Sequence, residues 1–135
     1  MTTYAQCDKT QAHNTNVAYL TAAKLLGDAA AEYTTLAHTS DNATDQANYA
    51  QAALDANAKW GAFNDEYDAF QNSGGDVNPP SGPELVALVD TSSRLAQAIA
   101  DGKQVSDILA LVEKGLLILT SLSPAAATAV APPPV

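Results

Sequence analysis

The chain contains a single cysteine, Cys7, so no disulfide can close within it and packing alone must hold the fold. Positive charge is also scarce: six lysines and arginines stand against fifteen aspartates and glutamates, for a net charge of −9. Proteins that grip phosphate backbones neutralise them with clustered cations. Here Lys9, Lys24, Lys59, Arg94, Lys103 and Lys114 are scattered, which removes nucleic acid as a direct partner. A nucleic-acid mimic would need dense carboxylates, yet only Asp65, Glu66 and Asp68 cluster. The N-terminus sets Lys9 among Thr, Gln and Asn instead of a basic flank before an apolar core. It carries no secretory signal, and a cytoplasmic location is expected; leaderless export or virion association leaves no such mark.

Catalytic patterns are missing as well. No nucleophile elbow, phosphate loop or dinucleotide fingerprint occurs, and Gly74-Gly75 follows no strand, so it reads as a hinge in a polar loop. A zinc site needs three or four converging ligands at close spacing, and Cys7, His13 and His38 do not supply them. Asp28 and Glu32 share a helical face, but di-iron bundles want a Glu-x-x-His pair from each of two helices, and none is present. The expectation is a non-enzyme with no cofactor and no metal.

What the chain does have is alanine, 28 of its 135 residues, with few β-branched runs. Summed over long windows this favours helix over strand. The first helix is predicted over residues 10–38, where Tyr19, Ala22, Leu26, Ala29, Tyr33 and Leu36 alternate spacings of three and four. After a short polar connection capped by Ser40 or Asp41, a second helix is predicted over 41–71. Its stripe is Tyr49, Ala53, Ala56, Trp60, Phe63, Tyr67 and Phe70, the 3.5-residue period of a coiled coil. So short a connection makes the two helices antiparallel, with facing positions summing to about 80. That register sets Tyr33 near Ala47, Leu26 near Leu54 and Tyr19 near Gly61.

Residues 73–83 are rich in glycine and proline and mark a linker. Ser81 and Glu84 have capping-box spacing at the start of a third helix, over 82–101, and Gly102 suits its left-handed end. A fourth helix over 105–122 is apolar nearly all round, with Leu109, Val112, Leu116 and Leu119 along the candidate core or oligomer face. Such a helix must be covered by neighbours, by another copy or by lipid. The last 21 residues, from Gly115, carry no charge, which is the length of a membrane span. Pro124 interrupts the run, however, so protein burial is favoured over a bilayer. The expected organisation is all-α: a long hairpin over 1–72, a linker over 73–83, a short hairpin over 84–123, and a flexible Ala/Pro tail over 124–135.

Trp60, Phe63, Tyr67 and Phe70 fall opposite the polar start of the first helix, around Gln11, His13, Asn14 and Asn16. They look under-covered, and Asp65, Glu66 and Asp68 lie among them, so these seven form the candidate interaction surface. Separately, Thr15-Asn16-Val17, Leu26-Gly27-Asp28-Ala29, Tyr33 with Leu36-Ala37-His38, and Ala50-Gln51-Ala52 resemble, over residues 8–60, subunits of bacterial R-bodies, the killing-trait family. These are small helical proteins that assemble into acid-triggered coiled ribbons. The resemblance needs a shifted spacing between its first two blocks and lacks the family's Pro-Ala-Met-Ala-Met-Gly-like segment, since Met1 is the only methionine. It implies self-assembly.

Three functions are therefore expected in order. The first is a self-associating, non-enzymatic helical protein that buries its aromatic and fourth-helix surfaces between copies. The second is a small acidic inhibitor or adaptor, of the phage or toxin-antagonist kind, bound to a larger protein. The third is a membrane-active hairpin built from the last two helices.

Overall fold

A computed structural model describes residues 2–72 and 74–122 of the chain; the Ala/Pro tail expected over 124–135 lies outside them. Four helices account for nearly all of it: α1 (Lys9–Thr39), α2 (Ala43–Gln71), α3 (Gly82–Ala100) and α4 (Val105–Leu122). Two short strands, β1 (Thr2–Thr3) and β2 (Asp76–Val77), pair antiparallel, Thr2 opposite Val77 and Thr3 opposite Asp76. The all-α expectation holds, with this small ribbon added.

The helix ends follow from side-chain chemistry. Asp8 and Gln11 form a capping box at the start of α1, their side chains accepting from each other's backbone amides at 2.7 and 3.0 Å. Asn42, instead of Ser40 or Asp41, caps α2: its Oδ1 accepts from the amides of Thr44 and Asp45. Ser40 is spent on the end of α1, where its hydroxyl donates to the Leu36 carbonyl. The Ser81–Glu84 box opens α3 as its spacing predicts, and Gly102 follows α3 at a φ of +64°.

Helix α1 is the shared wall of the molecule. It buries its predicted stripe and also Thr15, Ala18, Leu25 and Ala30, because α2 packs along one side and α3 with α4 along another. The α1–α2 register differs from the expected one. Tyr33 stacks on Tyr49, two residues beyond Ala47, and Tyr19 meets Phe63, two beyond Gly61. The cause is local: α1 continues to Thr39 and α2 begins at Ala43, which moves the centre of the turn. Leu54 consequently points away from Leu26 and is 63% exposed, while Ala52, Ala53 and Ala56 line the close middle of the hairpin.

The second hairpin returns onto the first. Asn14 Nδ2 donates to the Pro80 carbonyl at 3.4 Å, tying the segment before α3 to the start of α1. Gly115 of α4 sits against Leu25 of α1, and the α4 end reaches α3 where Ser121 Oγ donates to Glu84. Within α4, Leu109, Val112 and Leu119 are buried and Leu116 is half-buried, whereas Leu117 faces outward. Thus most of the apolar surface of α4 is covered by α1 and α3. One hydrophobic core runs through all four helices and takes in Val77 of β2. Among the described residues, no helix is long and apolar enough to cross a membrane.

Tyr33 reports on this core. Burial, then the neighbouring Tyr49 hydroxyl and the Glu113 carboxylate, push its phenol up to about 12. The folded state therefore favours neutral Tyr33. That contribution is fully present below the ordinary tyrosine pKa near 10 and lost as pH rises from about 10 to 12, amounting to about 2–3 kcal/mol. Absorbance titration of tyrosinate should show one of the five tyrosines ionising late and together with unfolding. In Tyr33→Phe that late step should vanish; its persistence would reassign it.

Candidate functional site

Because α2 contacts α1 along one strip only, the flank of the hairpin away from α3 and α4 stays open. Leu20 of α1 and Trp60 of α2 stand on that flank, 63% and 44% exposed. Between them lies a groove of about 110 Å³ lined by Tyr19, Leu20, Ala23, Trp60, Phe63, Asn64 and Tyr67. Its floor is rigid. Tyr19 stacks on Tyr67 with ring centroids 5.1 Å apart and meets Phe63 edge-on at 6.0 Å. The Tyr67 hydroxyl donates to Asn16 Oδ1 at 2.9 Å, so the polar start of α1 serves as an anchor for an aromatic ring. Ala23 is the small residue that leaves the hollow.

Size limits what this groove can do. Cofactor and substrate sites run from about 300 to 1,000 Å³, so this one accepts only a side chain or two. Among the described residues, no group of three or more His, Cys, Asp or Glu is placed to hold a metal ion. The Cys7 thiol is pushed up by burial and by Asp8, which disfavours the nucleophilic thiolate.

The seven candidate surface residues separate in space. Phe63 and Phe70 are core residues, 4% and 0% exposed. Phe70 is covered by the N-terminal strap: the Tyr4 ring meets it edge-on at 5.5 Å. Trp60 and half-buried Tyr67 belong to the groove. Asp68 follows Asn64 by one helical turn and extends the same flank, while Asp65 lies about 140° round the helix from Trp60; both are exposed. Glu66 is half-buried on the other edge. Burial, then Tyr4, then Asp68 raise the Tyr67 phenol, which keeps it a neutral donor to Asn16. Leu20 and Ala23 were invisible to periodicity, since they lie beside the α1 stripe; an unpaired leucine next to an apolar stripe was the available signal.

The charge on α2 is one-sided. Asp45, Asp65 and Asp68 are exposed and Asp55 half-exposed. The two ion pairs among the described residues, Lys24–Asp28 and Arg94–Asp90, involve none of them. The one cation of α2, Lys59, is only 8% exposed, and burial lowers its pKa against the opposing pull of Asp55. No family model, no curated protein and no solved structure matches the chain.

Proposed function

We propose that this chain is a non-enzymatic protein that acts through protein–protein contact, with the Leu20–Trp60 groove as its contact site. The exposed indole over a preformed aromatic floor carries this reading. Tryptophan dominates interface energetics when a partner desolvates it, and a rigid pocket spares the entropy of ordering. A leucine and a tryptophan left in water on one flank are better used buried against another protein.

Leu54 provides a matched control, being as exposed as Leu20 but on the outer face of the hairpin. A photo-crosslinking residue placed at Leu20 in the producing cell should give discrete higher-mass adducts. The same residue at Leu54 should give none. Equal adduct patterns at the two positions, or no adduct at Leu20, would overturn the reading.

Self-assembly is the second reading. It is supported by the R-body resemblance and by Val86 on α3 and Leu117 on α4, both well exposed. Absolute mass by light scattering should then grow with concentration and return to the monomer value in Leu117→Lys. A constant monomer mass at neutral and acidic pH would remove it.

A further inference from the structure

We infer that the groove is occupied by the chain's own residues Pro132, Pro133, Pro134 and Val135, docked from the same molecule as a short polyproline segment. This keeps the contact-site reading above and adds a resident cover that an outside partner must displace. Reach is the first argument. Gly115 of α4 packs on Leu25 of α1, Ser121 lies against Glu84, and the segment before α3 is tied to Asn14. Helix α4 therefore runs antiparallel to α1 and ends at Leu122, level with the turns of α1 that carry Asn14 to Leu20. Leu20 lies about 140° round α1 from Leu25, so the way to the groove is roughly 20–25 Å over the face that bears exposed Lys24. Residues 123–131 span about 28 Å at about 3.1 Å each, which brings Pro132 to the groove.

Chemistry is the second argument. Consecutive prolines are already restricted to polyproline geometry, so they lose little entropy on docking, and they favour aromatic-lined grooves. Here the rings of Tyr19, Trp60 and Tyr67 surround a hollow of about 110 Å³, room for a proline ring or two. Proline has no N–H and offers only carbonyl acceptors. The lining residues Trp60 and Asn64, both exposed, hold matching donors in the indole Nε1–H and the side-chain amide. The fit needs no charge, and residues 115–135 carry none. The same segment of a second copy meets the same groove, but it competes with one tethered at an effective concentration on the order of millimolar.

The test uses the full chain. Trp60 is the only tryptophan, so its emission reads the groove directly. The triple variant Pro132→Ser/Pro133→Ser/Pro134→Ser should move that emission to longer wavelength and make it easier to quench with acrylamide. A synthetic peptide of residues 128–135 should reverse the shift saturably in the variant. It should bind the unsubstituted chain about tenfold or more weakly, because the tethered segment competes. A photo-crosslinking residue at Leu20 of the purified chain should join to residues 128–135 in a product of monomer mass, and one at Leu54 should not. Unchanged emission in the triple variant, or no such product at Leu20, would overturn the inference. So would products of dimer mass that grow with concentration, which would give the segment to a second copy. If the cover fails in these ways while Leu20 still crosslinks to a discrete protein in the producing cell, the contact site stands without it. If both fail, the groove itself is not a contact site.

Discussion

Phe70→Ala is expected to cost about 3–5 kcal/mol, a large part of the roughly 5–15 kcal/mol that holds a domain of this kind together. Phe70 is fully buried in the last turn of α2. Two other pieces of chain, the N-terminal strap and β2, come together beside it. The Tyr4 ring packs edge-to-face at an interplanar angle of 63°, β2 contributes buried Val77, and β1 is tied to β2 by the ribbon. Truncation at residue 70 leaves a cavity that these pieces cannot close independently, because each is fixed by pairing to the next. Urea unfolding followed by circular dichroism should show the midpoint falling sharply. Limited proteolysis should cut the N-terminal strap first. A cost below about 1 kcal/mol would mean that residues 2–7 lie outside the cooperative unit.

The strap explains why Phe70 looked uncovered in the sequence. Two-residue strands carry no periodic signal, and Thr2-Thr3 reads as an ordinary polar terminus. The helices were legible because their signals are local. The box at Ser81 and Glu84, the left-handed Gly102 and the Tyr19-to-Leu36 stripe each lie within a few turns of chain. What periodicity could not give is which neighbour covers which edge. On α2, Lys59 lies on the buried edge and Trp60, one residue on, lies on the open one. A hydrophobic stripe scores these the other way round, since the position of α1 decides burial and lysine can bury its stem. On α1, Leu25 falls off the first stripe because it faces Gly115 of α4. Trp60 and Tyr67 of the groove were therefore readable, Leu20 and Ala23 were not, and Phe63 and Phe70 proved to be core.

The contact between Leu25 and Gly115 offers a prediction whose sign reverses with background. Leu25 is fully buried, and a Cβ built on Gly115 would collide with its Cδ1 and stand 3.2 and 3.3 Å from its Cδ2 and Cγ. With no exposed surface, the leucine can retreat only by displacing the side chains packed around it. Gly115→Ala should therefore destabilise the native chain by about 1–3 kcal/mol through overpacking, despite alanine's better helix propensity. Leu25→Ala alone should cost about 2–5 kcal/mol by opening a cavity at the α1–α4 contact. In that background the collision is gone, the new methyl partly fills the void, and only the propensity gain of about 1 kcal/mol remains. Gly115→Ala should then stabilise. A double-mutant cycle on thermal or urea unfolding measures the coupling directly. Additive effects would place Gly115 away from Leu25 and detach α4 from α1. A sign reversal would show that glycine at this one turn of α4 lets the apolar fourth helix close on its own chain.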